Sequence, residues 1–526
     1  MGCSQQSVCR TGPGERCVAC LDVVLLVLDT QRADRLSCYG YPQEISPSLD
    51  SLAARATRFT RAFSAAQWTM PAHASLFTGL YPHDHGLVQT RAVLPEALPT
   101  LAERLVAGGY ATAAFCNNPL VGVVNNGLRR GFQSFLNYAG LLTSRPSQAG
   151  PRRGPIARYR QFFKRSLTTL LGRIQDSFAR SDLLLALSFT PLMVPLWQTA
   201  LSFKGNTGRS LNDAARLLIE RRGLARDQPV FVFINLMGTH APYHPRPEHL
   251  ARFGPHIQHD PAARRYLRRF NTDIYGWLAP LAVPLGPGDK ATLDGVYNAE
   301  VAGQDEQVGR FLERLRAAGR LDRTLLIVCA DHGDHLGEKH LVGHSFGAYN
   351  EVARVPLIIY HPGGDLPAGA VREEPVSLRR VFHTILEAAG LASAEEQRLS
   401  LAATGDPDAG VVLVEAQPPS NVVALVRRHH PDLLRRYGYD EPCLALISGD
   451  EKLIRFGARH RALYNHRHDL EESTDLYAIL PERADTLEEM LDAVIRRRGQ
   501  AAPVAERPPA DDPLVRKRLR DLGYLE

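Results

Sequence analysis

Five short, continuously apolar runs constrain the fold of this chain more than any other feature of its sequence. They lie at 22–28, 111–116, 230–237, 324–330 and 355–360. Segments with a helical pattern separate them, among them 99–108, 211–222 and 299–318. Parallel strands that are buried on both faces by crossover helices have such uninterrupted apolar sequences. The alternation therefore predicts an α/β fold, with a large, mostly parallel central sheet flanked by helices.

The pattern changes after about residue 410. The segments 411–415, 443–448 and 451–456 are typical of short antiparallel strands, and a helical segment follows at 481–498. We therefore expect a small C-terminal α+β subdomain with a short antiparallel sheet. The predicted division is a flexible tail, a catalytic domain with an insertion or lid, the C-terminal subdomain, and a linker with a tail: 1–20, 21–410 (insertion 141–205), 411–500 and 501–526.

Composition restricts the expected partners. The 526 residues carry a formal net charge of +6, which is too small to predict nucleic-acid binding. Basic residues cluster at 152–180, before the uncharged stretch 183–203, which has the length of a membrane span but contains Pro191 and Pro195. A buried helical hairpin would explain this stretch, and so would a lid or peripheral contact with a lipid surface through 152–203.

The N-terminal residues contain no signal-peptide pattern. The first sixteen residues are polar, and the apolar run that follows is short and ends in an acid. We therefore expect a cytoplasmic protein. The pair CVAC at 17–20 is a single CxxC, which is a weak signal for a metal or redox site.

Polar residues follow several of the predicted strands at their carboxyl ends. Asp29, Asn117 and Asp331 come directly after apolar runs, and His240 lies just beyond another. Open α/β sheets build their functional sites at this edge. We therefore expect these four side chains to converge.

The segment WTMPAHASLFTG, residues 68–79, places a hydroxyl at the start of a predicted helix that Gly79 closes. Thr69 fits a helix N-cap followed by a proline in the first turn. The same position would hold its hydroxyl near the positive end of the helix, where an anion is stabilised. The segment alone leaves both roles open, a cap and a nucleophile.

Two further segments, CADHGDHLGEKHLVGHS and GTHAPYHP, are rich in carboxylates and imidazoles. Their candidate functional residues are Asp331, His332, His344, His240 and His244. Carboxylates combined with imidazoles suit zinc or manganese. Together with Asp29 and Thr69, they predict a metal-activated hydroxyl surrounded by histidines.

These motifs, in this order, resemble those of the sulfatase family in the alkaline phosphatase superfamily. The matching segments are DTQRADRLSCYGY, TMPAHASLFTGLYPHDHG, YNAEVAGQDEQVGRFL with ADHGDHLGE, and ALYNHRHDLEESTDL. The resemblance implies an alkaline-phosphatase-like sandwich that hydrolyses a sulfate or phosphate/phosphonate ester. It also implies one divalent metal ion, with zinc or manganese favoured and calcium as an alternative. The implied metal-binding set is Asp29, Asp331, His332, Thr69 and Thr30.

Several residues depart from the sulfatase pattern. Thr69 stands where sulfatases have the Cys or Ser that becomes formylglycine, His73 stands for the signature Arg, and Thr30 stands for the second Asp of the metal pair. Asn117 and Pro119 stand for a sulfate-binding Lys and His, and His344 falls near the place of another family Lys. Threonine has no second hydroxyl, so water would have to cleave its covalent ester by attacking the central atom. Phosphatases and phosphodiesterases of the superfamily use that route with Ser or Thr. A phosphorus ester is therefore slightly favoured over a sulfate.

The predicted roles follow from this comparison. Thr69 is the nucleophile, His73 stabilises the transferring group, and Asn117 contacts one of its oxygens. His240, together with His344, binds the substrate, protonates the departing alkoxide and then serves the attacking water.

Several alternatives remain open at this point. A second metal could bind where His244 joins His240 and His344. The chain could transfer the group to an alcohol or lipid acceptor, or it could be an inactive binding protein on a sulfatase scaffold. The predicted partner is a small-molecule ester, and nothing in the sequence predicts an oligomeric state.

Overall fold

The computed structural model describes residues 21–122, 124–138, 204–225, 227–272 and 280–497. The N-terminal CVAC pair, most of the predicted insertion with its basic cluster and the 183–203 stretch, and the C-terminal tail lie outside these ranges. Within the described residues, no helix has both the length and the hydropathy needed to cross a bilayer.

Fifteen strands form three sheets in the described part of the chain. In chain order they are Asp22–Leu28 (β1), Thr57–Phe63 (β2), Ala111–Cys116 (β3), Ser134–Asn137 (β4), Val230–Leu236 (β5), Thr324–Cys329 (β6), His335–Leu336 (β7), Val342–Gly343 (β8), Arg354–Tyr360 (β9), Val371–Arg372 (β10), Val376–Ser377 (β11), Val411–Ala416 (β12), Cys443–Ser448 (β13), Glu451–Phe456 (β14) and His460–Asn465 (β15).

Sixteen α-helices lie in the same ranges. They are Pro47–Ala53 (α1), Thr69–Thr78 (α2), Pro82–His85 (α3), Leu101–Ala107 (α4), Pro119–Gly122 (α5), Thr207–Glu220 (α6), Pro247–Phe253 (α7), Pro255–His259 (α8), Pro261–Thr272 (α9), Pro287–Ala317 (α10), Asn350–Ala353 (α11), Arg380–Ala388 (α12), Ala394–Leu399 (α13), Ser420–His429 (α14), Pro431–Tyr437 (α15) and Pro481–Arg497 (α16).

The large sheet has the strand order β10-β2-β9-β6-β1-β5-β3-β4, and β11 also pairs with β2. Strands β6, β1, β5, β3 and β4 are mutually parallel. The α/β prediction is confirmed, as are the positions of the five predicted strands to within one or two residues. The sequence reasoning missed β2, β4 and the short edge strands β10 and β11.

One predicted strand runs in the opposite direction. The run at 355–360 was expected to be parallel, but β9 is antiparallel to both β6 and β2. A parallel return needs a long crossover, usually a helix, to bring the chain back to the starting edge. Between β6 and β9 the only α-helix is the single turn α11, so β9 starts at the edge where β6 ends.

Strand β1 lies in the middle of the sheet and is buried throughout. Val24, Leu26 and Leu28 face one hydrophobic core, and Val23, Leu25 and Val27 face the other. This two-sided burial explains the continuous apolar sequence. It also fixes the carboxyl end of β1 at the centre of one sheet edge.

The C-terminal strands β12 to β15 form an antiparallel sheet in sequential order, and α16 packs on it. A fully buried ion pair, 2.6 Å long, joins Lys452 of β14 to Glu472, which follows β15. Asn350, at the start of α11, donates its backbone N–H to Glu472 and accepts from Lys452. The pair thereby connects the small sheet to the loop that follows β6.

Candidate active site

The centre of the candidate site consists of three buried side chains at the carboxyl ends of adjacent parallel strands. Asp29 follows β1, and Asp331 and His332 follow β6. Val27 pairs with Cys329, so the two strands end at the same level. The candidate ligand atoms of Asp29, Asp331 and His332 all lie within 4.8 Å of one another. Of the four residues that were expected to converge, Asp29 and Asp331 therefore lie together in this cluster.

The electrostatics of this cluster fit a cation. Burial raises the pKa of Asp29, and the neighbouring charge of Asp331 raises it further. Asp29 Oδ1 is buried and accepts no hydrogen bond from the described residues. A buried carboxylate oxygen without a partner is costly unless a ligand compensates it. Two carboxylates and an imidazole around such an atom match the donor set of a divalent metal.

Thr69 is the first residue of α2, and Trp68 occupies the N-cap position without a side-chain capping bond. The prediction that Thr69 caps its helix is therefore wrong. Its hydroxyl Oγ1 instead lies 3.3 Å from Nε2 of His332. His332 Nδ1 faces the carbonyl oxygen of Gly333 at 2.9 Å, which leaves the Nε2 lone pair directed at the site. The hydroxyl thus sits against the ligand cluster.

The amide beside the hydroxyl belongs to Asn118. Its Nδ2 donates to Asp29 Oδ2 at 2.6 Å and lies 3.5 Å from Thr69 Oγ1. The neighbouring Asn117, which the sequence reasoning had placed there, lies against Gly205, and its side-chain atoms have no hydrogen-bond partner among the described residues. The predicted contact of Asn117 with substrate stays a prediction.

Both ring nitrogens of His73 contact protein atoms. Nδ1 lies 2.9 Å from the backbone oxygen of Thr69 and 3.3 Å from Asp331 Oδ2, and Nε2 lies 3.3 Å from Nδ2 of Asn235. His73 therefore braces the start of α2 against the ligand Asp331. The predicted contact between His73 and the transferring group stays a prediction.

Thr30 supports the site mainly through its backbone. Its φ of 62° lies in the left-handed region, which is unusual for a β-branched residue. The Thr30 N–H points at Asp331 Oδ1, its hydroxyl donates to the Asp29 carbonyl, and its own carbonyl accepts from Tyr297. Three bonds thus hold a strained residue between the two ligand carboxylates. The predicted metal contact of Thr30 stays a prediction.

His240 and His344 lie next to each other at the site. The His344 ring centroid is 4.4 Å from that of His332 and 5.1 Å from that of His240. Burial and the neighbouring His344 lower the pKa of His240 to about 4. His240 Nδ1 faces the carbonyl of Ala241 at 2.5 Å, so it carries the hydrogen and Nε2 carries the lone pair.

Asp334 shifts the pKa of His344 in the direction opposite to the shift at His240. Its Oδ1 accepts from His344 Nδ1 at 3.0 Å, and its Oδ2 accepts from the Tyr243 hydroxyl at 3.1 Å. Burial lowers the pKa of His344, but the hydrogen bond and charge of Asp334 outweigh burial and leave the pKa raised. The pKa of His344 is thus raised, whereas that of the adjacent His240 is lowered.

The other histidines of these motifs lie apart from the ligand cluster. His244 is exposed, and among the described residues Asp29, Asp331 and His332 form the only candidate group of three metal ligands. His335 is fully buried and packs against Tyr349. His85 lies 3.1 Å from Ser75 and accepts from the Leu87 N–H, which secures the turn after α2.

The sequence reasoning missed three residues of the site: Asn118, Asn235 and Asp334. Asn235 donates to Asp29 Oδ2 at 3.2 Å. It is the one polar residue in the apolar run VFVFINLM, and that isolation was the available signal. Asp334 lies in the DHGD motif, to which the sequence reasoning assigned Asp331 and His332 as site residues but gave Asp334 no role.

The mixed α/β sheet, with a carboxylate–imidazole cluster at its strand ends beside a helix-borne hydroxyl, places the chain in the alkaline phosphatase superfamily. A sulfatase family model matches residues 22–391, and the chain belongs to that family. It is 26% identical to the steryl-sulfatase of Mus musculus over 70% of this chain and 61% of that protein. It is 23% identical to an arylsulfatase of Clostridium perfringens over 70% of this chain and 74% of that protein.

A solved structure gives the same fold. The phosphonate monoester hydrolase of Agrobacterium radiobacter superimposes with a TM-score of 0.60 at 20% identity, covering 93% of this chain and 100% of that one. The alkaline-phosphatase-like fold predicted from the sequence is therefore confirmed. The chain spans less than two thirds of the mouse steryl-sulfatase.

Proposed function

We propose that this protein is a metal-dependent hydrolase that cleaves a sulfate or phosphate/phosphonate ester through a covalent Thr69 intermediate. The observation that carries the proposal is the position of the Thr69 hydroxyl, 3.3 Å from His332 and beside the buried carboxylates of Asp29 and Asp331. A hydroxyl placed next to a cation site is a common arrangement for nucleophilic catalysis.

Asp29, Asp331 and His332 would hold the divalent ion, with zinc or manganese favoured over calcium. A bound ion supplies positive charge and Lewis acidity to the reacting oxygens. Asp29 Oδ1, which lacks a hydrogen bond from the described residues, is the atom best suited to it.

The overall reaction balances in two steps. In the first, the Thr69 oxygen gives up its hydroxyl proton and bonds to phosphorus or sulfur, the bond to the leaving oxygen breaks, and the leaving oxygen gains a proton. In the second, the oxygen of water bonds to the same centre, the bond from that centre to the Thr69 oxygen breaks, and one proton of the water returns to Thr69 as its hydroxyl re-forms. The raised pKa of His344 suits the proton donor of the first step. His240, whose pKa is about 4, suits the group that accepts the proton of water.

A phosphorus ester is favoured over a sulfate. Thr69 lacks the second hydroxyl from which a formylglycine hydrate eliminates sulfate. Within the described residues, amides and imidazoles contact Thr69 and its ligand neighbours, and no lysine or arginine forms a hydrogen bond or ion pair with them. The absence of cationic contacts among these described residues disfavours a dianionic phosphate monoester, whereas a phosphodiester, a phosphonate monoester and a sulfate ester are all monoanions. The preference for phosphorus over sulfur therefore rests on Thr69.

Transfer to an alcohol or lipid acceptor would use the same Thr69 intermediate, with an alcohol replacing water in the second step. The segment 152–203 that suggested a lipid acceptor lies outside the described residues. Hydrolysis is therefore the function that the described site supports best.

A substrate screen tests the proposal. The full chain is incubated with an aryl sulfate, an aryl phosphate monoester, a phosphodiester and a phosphonate monoester, each with Zn²⁺, Mn²⁺ or Ca²⁺. We expect turnover of the phosphodiester or phosphonate and its loss in T69A. The control is T78A, because Thr78 is a buried threonine at the far end of the same helix whose hydroxyl donates to the Ala74 carbonyl and accepts from the Leu80 N–H.

Two outcomes contradict the proposal. Turnover that survives in T69A would exclude Thr69 as the nucleophile. No turnover of any ester with any of the metals would favour a binding protein on a sulfatase scaffold.

A further inference from the structure

The Asn118 side chain is fixed in one orientation between the ligand cluster and the nucleophile. Its Oδ1 accepts the backbone N–H of Leu120 at 2.8 Å, which identifies Oδ1 as the acceptor and Nδ2 as the donor. Nδ2 then faces Asp29 Oδ2 at 2.6 Å and Thr69 Oγ1 at 3.5 Å. The residue is 2% exposed, so water does not compete for these contacts.

A second amide reaches the same carboxylate oxygen. Asn235 Nδ2 lies 3.2 Å from Asp29 Oδ2, whereas Asp29 Oδ1 accepts nothing from the described residues. The two oxygens of Asp29 are therefore unequal, because one is occupied by two amide donors and the other is left for a cation. Hydrogen bonds of this kind orient metal ligands.

We propose that Asn118 is a catalytic residue, which holds Asp29 in its metal-binding orientation and donates a hydrogen bond to the Thr69 oxygen when that oxygen carries negative charge. The two hydrogens of one amide nitrogen serve the two roles. A preorganised neutral donor stabilises developing charge without reorganisation. The Thr69 part of this inference rests on the proposed function, whereas the Asp29 part does not.

Asn235 has only the first of the two roles. It contacts Asp29 and His73 but makes no contact with Thr69. N235A and N118A should therefore weaken metal binding alike, while N118A should slow the chemistry at Thr69 more. This difference separates a donor to the nucleophile from a general support of the ligand.

The first measurement is calorimetric titration of Mn²⁺ into the chelator-treated full chain. In N118A we expect the dissociation constant to rise about 10- to 100-fold, the usual effect of removing a partner of a metal ligand. The matched control is N126A. Asn126 is a buried asparagine of the same segment that bonds to Leu120 and Leu128 and touches neither Asp29 nor Thr69.

The second measurement follows the rate of adduct formation on Thr69 by intact mass, with an aryl phosphodiester and an aryl phosphonate. We expect the rate to fall further in N118A than in N235A, and to stay unchanged in N126A. N118S is the second variant, because a serine hydroxyl can still accept the Leu120 N–H and preserve the turn. It should bind metal and react as N118A does.

Unchanged Mn²⁺ affinity in N118A and N118S would overturn the role at Asp29, as would an equal loss in N126A. Equal adduct rates in N118A and N235A would overturn the role at Thr69. If the wild-type protein binds Mn²⁺ but forms no adduct, and T69A matches it throughout, the proposed function and the Thr69 role fail together. The titration still decides the Asp29 role in that case.

Discussion

Replacing Asp334 with asparagine tests how the protein assists the departure of the leaving group. The Asp334 carboxylate is 1% exposed and accepts from His344 at 3.0 Å and from Tyr243 at 3.1 Å. Asparagine keeps the volume and one acceptor oxygen but removes the charge. The His344 ring therefore keeps its place, while its protonated form loses the negative charge that stabilises it.

The expected loss of rate follows from the strength of the hydrogen bond between His344 and the charged Asp334 carboxylate. A hydrogen bond to a charged group contributes about 1.5–3 kcal/mol, and each 1.36 kcal/mol in the barrier changes the rate about tenfold. D334N should therefore lose roughly 10- to 150-fold in kcat on esters whose leaving alkoxide needs a proton. Esters of acidic phenols need little protonation, so their loss should be small.

The assay compares kcat across aryl esters of graded phenol acidity for the wild type, D334N and Y243F. We expect D334N to steepen the dependence of rate on leaving-group acidity, and Y243F to steepen it less because the contact with His344 remains. The control is D305N. Asp305 is a buried aspartate that caps α1 away from the site, so this variant should keep the wild-type slope.

One result would refute this reasoning. If D334N slows every ester by the same factor, Asp334 supports the fold of the site and does not act through the leaving group.

Three further predictions follow from the described contacts. In D334N the alkaline limb of the kcat profile should move to lower pH, because Asp334 raises the pKa of His344 and activity is lost as pH rises through that pKa; an unmoved limb would contradict this. Chelation should lower the wild-type Tm, since a metal at 100 times its Kd stabilises the fold by about 2.7 kcal/mol, and D331N should abolish this difference. A wild-type Tm that does not change on chelation would contradict the proposed metal site. K452M should cost about 3–5 kcal/mol in urea unfolding because it leaves Glu472 buried and unpaired, while K452M/E472Q should cost less; equal losses would show that the ion pair is not the cause.

Much of the ligand cluster could be predicted because its residues are next to strand ends. Apolar runs identified β1 and β6, and the residues after each run had to lie at one edge of the sheet. Asp29 and Asp331 were therefore placed without knowledge of any contact. The direction of β9 could not be read in this way, because an apolar run is the same in either direction.

The finer contacts depend on the path of the chain after each strand. Side chains of β3 alternate between the two faces of the sheet, and the chain leaves the strand at Cys116. Asn118 faces the site while Asn117 lies against Gly205. A shift of one residue exchanges these faces, and nothing in the local sequence fixes it. The role of Asp334 could likewise be recognised only from the folded structure, since its partner Tyr243 lies 91 residues away in sequence.

The most direct test of the central claim is the mass of the protein during turnover. The wild-type chain, mixed with a slow aryl phosphodiester or phosphonate and quenched in acid, should gain the mass of the transferred group, and peptide mapping should place it on Thr69. T69A should gain nothing. An adduct on another residue, or turnover in which neither protein gains mass, would contradict the account of Thr69 as the nucleophile.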